Sequence, residues 1–275
     1  MLSIKSISAA SSGAMADYYA ELARKDDYYS AESGDKEPAG YWPGGGAQSL
    51  NLEWEVSADQ LRNGFAGNHP DSGEPLAKNA GENHKPGWDC TYSAPKTVSA
   101  VWAVADAEIR GKIETAHQVA IAFSVNYLER EAAATRHGKD GMVRVPASEN
   151  GGLIVAVFQH STSRNQDPQL HSHALILNMN RDGRGIDLDT SHKMAAGALY
   201  RVELAHQLHQ IGFETERDDK SFRVVGVPEK LVDQWSSRRA EIVDKLSETG
   251  AHGSAAAQAA ALETRTKNPI LTKKR

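Results

Sequence analysis

The pattern of apolar and polar positions along the chain predicts both strands and helices. Residues 2–8 alternate between the two classes, and residues 152–162 have an apolar centre, both of which are typical of strands. The same reasoning predicts further strands at residues 87–93, 142–145, 170–178 and 222–227. The sequence "RDGRG" at residues 181–185 is typical of a hairpin tip.

Helical spacing of apolar residues predicts the remaining regular elements. Helices are expected at residues 11–25, 57–65, 95–107, 109–135, 191–211 and 228–247, and residues 33–48 are expected to form a loop. Gly212 would end the helix at 191–211. Strands lie both before and after the helices, and neighbouring strands can form hairpins. This order favours an α+β fold with an antiparallel sheet over a doubly wound parallel fold.

Composition and charge narrow the class of protein. The 275 residues suffice for one large domain or two small ones, and 40% apolar residues are ordinary for a globular protein. The longest apolar run, residues 153–158, is too short to cross a membrane, and no secretory signal is visible. The single cysteine, Cys90, fits a reducing compartment, so we expect a cytoplasmic protein without membrane insertion. A net charge of −5 argues against nonspecific coating of nucleic acid but permits a local grip on a short strand.

Three of the eleven histidines fall in one short stretch, "FQHSTSRNQDPQLHSHALIL", at residues 158–177. His171 and His173 are two residues apart on an apolar strand, so both imidazoles project from the same face. His160 lies on the preceding strand. Three neutral imidazoles leave open coordination positions on a metal ion, as in catalytic sites. The other interpretation of this stretch is a half-buried strand with hydrogen-bonded histidines.

The pairing register decides whether His160 joins the other two histidines. Directly opposed residues of an antiparallel pair share a face, so all three rings face one side if His160 lies opposite His171 or His173. If it lies opposite Ser172, the ring of His160 faces away. The sequence therefore permits a three-histidine metal site without requiring one.

An acid is needed beside such a site, because ligating histidines usually donate their second N–H to a carboxylate. Asp89 lies in the predicted strand "GWDCTYSAPK", where it interrupts an apolar pattern. It is the candidate for this role, and a surface-facing strand position or a cap is the alternative.

Half of the eight tyrosines stand in two adjacent pairs, at residues 18–19 and 28–29. The phenol has an unperturbed pKa of about 10, and ionising it near neutral pH takes about 4 kcal/mol from a metal, a base or desolvation. An ionised phenol that attacks a phosphodiester forms a phosphotyrosine ester, which keeps the bond energy and allows resealing without ATP. Paired tyrosines beside a metal therefore point to a strand-transferring enzyme, and an aromatic surface or packing feature is the alternative.

Together these features resemble the MobF-family conjugative relaxases (TrwC/TraI-like). The likeness lies in the tyrosine pairs, "KPGWDCTYSAPKTVS" (residues 85–99), the histidine stretch through residue 178, "LYRVELAHQLHQIGFE" (199–214) and, more weakly, "AALETRTKN" (260–268). It implies an HUH-endonuclease-like two-layer sandwich, with an antiparallel sheet of about five strands flanked by helices. It also implies a relaxase domain at residues 1–250. Residues 251–275 would then be a basic segment that begins a linker to a helicase region absent from this chain.

The activity that the resemblance implies is site- and strand-specific nicking of single-stranded DNA at an origin of transfer. Tyr18 would attack the scissile phosphate, leaving a 5′-phosphotyrosine and a free 3′-OH. Tyr28 would serve the second, closing transfer. Tyr19 and Tyr29 would be supporting or substitute phenols.

The resemblance also implies a cofactor and its ligands. His160, His171 and His173 would hold one divalent metal ion, Mg²⁺ or Mn²⁺ in function, with Zn²⁺ or another ion able to take its place in a crystal. Asp89 would orient a histidine and accept the phenol proton.

Partners follow from the same resemblance. The expected substrate is single-stranded origin-of-transfer DNA, and Lys85, Lys96, Arg164 and Arg201 are candidate DNA contacts. Accessory DNA-binding proteins and a type IV secretion system with its coupling protein are expected as well. The covalent protein–DNA complex would be exported to the recipient cell.

Other functions remain open from the sequence. A rolling-circle replication initiator would use the same chemistry. A metal-dependent hydrolase would use the three histidines and water. A non-catalytic DNA-binding module would use the tyrosines as stacking platforms.

Overall fold

The computed structural model describes residues 1–22, 38–52, 55–163 and 165–250, together with positions 256, 259, 260 and 263. The strands in these ranges are β1 (Leu2–Ile7), β2 (Gly87–Ser93), β3 (Ala133–His137), β4 (Val143–Pro146), β5 (Val155–Thr162), β6 (Pro168–Leu177), β7 (Ile186–Leu188), β8 (Thr215–Asp218) and β9 (Ser221–Val224). The α-helices are α1 (Ala9–Leu22), α2 (Gly44–Gln48), α3 (Ala58–Phe65), α4 (Lys96–Val104), α5 (Ala107–Tyr127), α6 (Lys193–Gln210), α7 (Glu229–Gln234) and α8 (Ser237–Thr249). Over the residues described, no helix is long and apolar enough to cross a membrane.

The central sheet is antiparallel and has the strand order β1-β2-β6-β5. Its inner strands, β2 and β6, are hydrogen-bonded on both sides, so their residues are the most firmly placed in the sheet. Tyr41 adds a one-residue bridge to Val157 at the outer edge of β5. Two smaller sheets, β4-β3-β7 and β8-β9, complete the strands of the described residues. The predicted α+β class with an antiparallel sheet and flanking helices is confirmed.

Alternation along the strands divides the core between the two faces of the sheet. One face, which includes Tyr92 and Ile176, packs against α4, α5 and α6. The opposite face, which includes Phe158 and Leu175, packs against α1 and α3. The histidine side chains emerge on this second face, beside α1.

Local chemistry explains several element boundaries. Ser57 begins α3 with a capping box, in which its hydroxyl accepts from the Gln60 amide and the Gln60 side chain accepts from the Ser57 amide. Gly212 ends α6 with a φ of 94°, as predicted. Gly87 begins β2 at a φ of 140°, and an added Cβ there would lie 1.9 Å from the Ile176 carbonyl oxygen.

The predicted helix at residues 109–135 is wrong in its C-terminal part. The α-helix ends at Tyr127, a π-helical turn covers Leu128–Ala132, and β3 follows. Within this turn the Glu129 carboxylate accepts a hydrogen bond from the Leu153 amide at 2.7 Å. β3 then pairs with both β4 and β7, so long-range pairing overrides local helical propensity.

Two smaller predictions also need correction. The predicted loop at 33–48 contains the helix α2, and the predicted helix at 228–247 is interrupted at residues 235–236. The short strands β7 and β8 were not predicted, because three or four residues give too little alternation to recognise.

Candidate functional site

The hairpin of β5 and β6 brings the three histidines to one face of the sheet. His160 lies directly opposite His171, which is one of the two registers expected to put all three rings on one face. His173 follows two residues later on β6, so its ring projects from the same face. The three ring centres form a nearly equilateral triangle, with 5.4 Å between each pair.

This triangle fits a metal ion bound by three imidazoles. A ligand bond of about 2.1 Å puts the ion about 3.2 Å from each ring centre, so the rings around a tetrahedral ion lie about 5 Å apart. Among the described residues, no group of three or more His, Cys, Asp or Glu side chains already has its donor atoms gathered at one metal position. Rotation about the last side-chain torsion redirects an imidazole nitrogen without moving its strand, so the spacing of the three rings allows their nitrogens to converge on one ion.

Asp89 fixes the orientation of one ring. Its Oδ1 lies 2.8 Å from His173 Nδ1, and Thr91 Oγ1 donates to the same oxygen at 3.2 Å. With Nδ1 donating to the carboxylate, the Nε2 lone pair of His173 is left for a ligand. Burial raises the pKa of Asp89, but the hydrogen bonds that it accepts, first of all from His173, outweigh burial and hold the pKa below its ordinary value.

His171 is oriented by the backbone. Its Nδ1 lies 2.9 Å from the Gln169 carbonyl oxygen, so Nδ1 carries the proton and Nε2 carries the lone pair. Burial, followed by the neighbouring rings of His160 and His173, lowers the pKa of His171 well below its ordinary value. A neutral imidazole of this tautomer is the form that binds metals.

Tyr19 is the phenol of α1 that contacts this site in the structure. Its hydroxyl lies 3.2 Å from Asp89 Oδ2 and 3.1 Å from His173 Nδ1. Its ring stacks on Phe158 with 5.2 Å between centres, and Tyr19 is only 2% exposed. Burial and then the charge of Asp89 raise the pKa of Tyr19 well above its ordinary value. Tyr19 is therefore a buried, protonated hydrogen-bond donor on the same face of the sheet as the histidines.

Tyr18 lies at the outer side of Tyr19 and is half-buried. The two rings meet edge to face, with 5.3 Å between centres and 70° between planes. The preceding residue, Asp17, forms an ion pair with Arg62 of α3, which ties α1 across to its neighbour. Tyr18 and Tyr19 therefore lie side by side but in different environments, Tyr18 half-buried and Tyr19 buried.

A buried polar network supports β6 from behind. Ser172 points away from the histidine face, and its Oγ lies 3.0 Å from His117 Nε2 on α5. His117 Nδ1 lies 2.8 Å from the Tyr200 hydroxyl on α6, and all three residues are fully buried. Burial, with a smaller effect of the chain's N-terminal ammonium, lowers the pKa of His117 to about 3. A neutral His117 thus links β6 to two helices.

Of the other predicted site residues, the structure describes three, which are Lys85, Lys96 and Arg201. Lys85 is exposed and lies over the Trp88 ring at 4.4 Å, and Arg201 is half-buried on α6. Lys96 is half-buried, and its amino group donates to the Pro168 carbonyl oxygen at 2.7 Å. Tyr28, Tyr29 and Arg164 lie outside the described residues.

Sequence reasoning overlooked two residues of the site, Thr91 and Phe158. Thr91 is two residues from Asp89 on the same strand, so alternation alone puts both on one face. Phe158 lies directly opposite His173, a pairing that follows once the register is known.

The family follows from comparison with known proteins. The model of the TrwC relaxase family matches residues 12–274 of this chain. The chain belongs to the TrwC relaxase family. The order of tyrosine pair, Asp89 strand and histidine hairpin described above lies within the matched region.

Relatives within this relaxase family include much longer proteins. The multifunctional conjugation protein TraI of Escherichia coli (strain K12) is 33% identical over 283 residues, which cover 96% of this chain and 15% of that protein. A second Escherichia coli TraI is 33% identical over 273 residues, covering 93% of this chain and 14% of that protein. The chain therefore spans only a small part of the curated relatives that it matches.

Solved structures of the relaxase TrwC share the fold. The metal-bound complex of TrwC with oriT DNA has a TM-score of 0.81 and 30% identity, covering 98% of this chain and 92% of that one. A copper-bound TrwC complex with oriT DNA has a TM-score of 0.79 and 29% identity, with 97% and 92% covered. TrwC with a 27-mer comprising the recognition hairpin and the cleavage site has a TM-score of 0.76 and 29% identity, with 98% and 91% covered.

Proposed function

We propose that this chain nicks one DNA strand at a plasmid origin of transfer and retains the 5′ end on a tyrosine. The observation that carries the proposal is the contact between the tyrosine helix α1 and the three-histidine triangle. Tyr19 lies within hydrogen-bonding distance of both Asp89 and His173, so the helix that carries Tyr18 ends beside the candidate metal position. The DNA-bound and metal-bound TrwC structures support this proposal.

Tyr18 is the residue we assign as the nucleophile. It is more accessible than Tyr19, which is buried and stacked on Phe158. In the proposed step the Tyr18 Oη–P bond forms while the P–O3′ bond breaks. The phenol loses one proton and the departing 3′ oxygen gains one. Resealing is the reverse exchange, with a 3′-OH as nucleophile, and needs no ATP.

A single divalent ion would be held by His160, His171 and His173. When bound, it supplies positive charge that polarises the non-bridging phosphate oxygens. Mg²⁺ or Mn²⁺ is our proposal for the functional ion. Metal-bound and copper-bound TrwC structures support a metal site of this kind without selecting the ion.

Asp89 has an orienting role in this proposal. Its carboxylate holds the His173 tautomer through the 2.8 Å contact to Nδ1. The second role expected of it, accepting the nucleophile's proton, would pass through Tyr19, whose hydroxyl lies 3.2 Å away.

The wider cellular role is also part of the proposal. We assign residues 1–250 to the relaxase domain and residues 251–275 to the start of a linker toward further domains, consistent with the much greater length of the TraI relatives. Tyr28, with Tyr29 as substitute, would serve the closing transfer. Lys85, Arg164 and Arg201 remain candidate DNA contacts. Accessory proteins, a secretion system with its coupling protein and export of the covalent complex would follow from a role in conjugation.

A covalent-adduct assay tests this function. The protein is incubated with a single-stranded oligonucleotide from its cognate origin and Mg²⁺ or Mn²⁺, and the products are separated on a denaturing gel. Wild type should give a protein–DNA band, and Tyr18→Phe should lose it. Cleavage without any adduct would instead indicate a hydrolase that uses water, and binding without cleavage would indicate a DNA-binding module.

A histidine variant tests the role of the three-histidine site. His171→Ala should abolish cleavage while leaving oligonucleotide binding largely intact. If His171→Ala cleaves as well as wild type, the three-histidine site is not the catalytic centre.

A further inference from the structure

The segment just before His171, residues 168–170, lies at an end of β6 where regular strand pairing stops. β2 stops pairing with β6 at Ser93, opposite His171, so the pre-histidine segment (residues 168–170) has no β2 partner. On its other side the β5 ladder is irregular, with a register shift between His160 and Thr162. β5 pairs only with the first residue of this segment, through Thr162 opposite Pro168, so neither neighbouring strand holds Gln169 and Leu170 by regular pairing.

The sequence "APKTVS" (residues 94–99), which follows β2, supplies the missing contacts. Lys96 Nζ donates to the Pro168 carbonyl oxygen at 2.7 Å. The Leu170 amide donates to Ser99 Oγ at 3.1 Å, and the Leu170 carbonyl oxygen accepts from the Ala94 amide at 3.0 Å. Ala94 and the first turn of α4 thus replace the strand partner that Gln169 and Leu170 lack.

These contacts lead directly to a proposed metal ligand. Gln169 lies in the middle of the segment, and its carbonyl oxygen accepts the Nδ1 proton of His171 at 2.9 Å. Its side chain donates to the Ala94 carbonyl oxygen at 3.2 Å. The position of the Gln169 carbonyl therefore determines both the tautomer and the direction of the His171 ring.

We propose that Lys96 and Ser99 are positioning residues for His171, acting through the pre-histidine segment. This inference rests on the proposed metal site and adds two residues to the machinery that forms it. Lys96 acts as a hydrogen-bond donor to protein rather than to DNA, in contrast to the role expected from sequence. Ser99 is fully buried and has no access to a nucleic acid.

Metal titration of four variants tests the proposal. Mn²⁺ affinity is measured by calorimetry for wild type, Lys96→Met, Lys96→Arg, Ser99→Ala and the control Lys112→Met, which changes an exposed lysine paired with Glu108 on α5. Loss of contacts that orient a metal ligand typically costs 10–100-fold, so Lys96→Met and Ser99→Ala should weaken Mn²⁺ binding by about 10-fold. Lys96→Arg keeps a donor and should recover most of the loss. Lys112→Met should match wild type.

A metal-free measurement separates this inference from the proposed function. In the wild type without metal, NMR of the His171 side chain should show a single tautomer with the proton on Nδ1. Lys96→Met should shift His171 toward a mixture of tautomers. If wild type binds no Mn²⁺ but the tautomer still shifts, the metal proposal fails and the positioning role stands. If the tautomer and the affinity are both unchanged in Lys96→Met and Ser99→Ala, the positioning role is refuted.

DNA binding discriminates the competing role of Lys96. The salt dependence of oligonucleotide binding in EDTA should have the same slope for Lys96→Met and wild type. A lysine that contacts a phosphate of a single strand would instead reduce the slope by about 0.7 when removed. That result with unchanged Mn²⁺ affinity would make Lys96 a DNA contact and overturn the proposal. If Lys96→Met does not fold, Ser99→Ala and Lys96→Arg decide the question by the same measurements.

Discussion

The buried histidine behind β6, His117, should make the stability of this protein depend on pH. Burial lowers the pKa of His117 from the ordinary 6.5 to about 3, so the folded protein keeps this ring neutral while the unfolded chain takes up a proton. Between pH 6.5 and 3 the unfolded state binds more protons, and the free energy of unfolding falls as the pH falls. Above pH 6.5 neither the folded nor the unfolded chain binds this proton, so His117 no longer makes the free energy of unfolding depend on pH.

The size of the effect follows from the same two values. Each pH unit below 6.5 lowers the free energy of unfolding by about 1.36 kcal/mol. Moving from pH 7.5 to pH 5 should therefore lower it by about 2 kcal/mol through His117 alone. His117→Gln removes this proton uptake but leaves Ser172 or Tyr200 without a partner, at a cost of about 1–3 kcal/mol at pH 7.5. The difference between wild type and variant should therefore shrink by about 2 kcal/mol on going to pH 5.

Urea denaturation at a series of pH values, in EDTA to keep metals away, measures this difference. His206→Gln is the matched control, because it removes an exposed histidine of α6 without touching the buried network. Its curve should run parallel to that of wild type. If the His117→Gln curve also runs parallel to wild type from pH 7.5 to pH 5, His117 is not a buried neutral residue and the reasoning is refuted.

Three further predictions concern the metal, the sheet and a helix cap. Mn²⁺ at about 100 times its dissociation constant should stabilise wild type by about 2.7 kcal/mol in thermal unfolding, and His171→Ala should show no comparable gain. Gly87→Ala should prevent cooperative unfolding in circular dichroism, because its Cβ would lie 1.9 Å from the Ile176 oxygen, whereas Gly111→Ala on α5 meets no atom within 4 Å and should be tolerated. Ser57→Ala should lower the free energy of unfolding by about 1 kcal/mol through loss of the α3 cap, and an unchanged denaturation midpoint would contradict the assigned cap.

The elements that sequence predicted well are those whose pattern repeats over enough residues. β1, β2, β5 and β6 each alternate or carry a long apolar centre, and each lies close to its predicted range. The end of the predicted helix at 109–135 could not be found in this way. Residues 133–137 join a strand because they pair with β4 and β7, and such pairing is not encoded in local periodicity.

In the candidate site, too, the features set by local spacing were predictable and those set by long-range pairing were not. Same-face placement of His171 and His173 follows from a spacing of two, but His160 required the register, which the sequence left open between alternatives. Asp89 was identified because an acidic residue interrupts the apolar pattern of its predicted strand. The role of Lys96 was not predictable, since Lys96 lies on α4 and its partner is a backbone carbonyl of β6, a contact that leaves no trace in residue types.

Mapping the covalent adduct shows whether a tyrosine of α1 captures DNA beside a three-histidine metal site. Wild-type protein is reacted with its cognate single-stranded origin oligonucleotide and Mn²⁺, digested with protease and nuclease, and analysed by mass spectrometry. The nucleotide mass should lie on the peptide that contains Tyr18, and His171→Ala should yield no modified peptide. A cleaved oligonucleotide that carries a free 5′ phosphate, with every tyrosine peptide unmodified, would contradict capture of the DNA by a tyrosine.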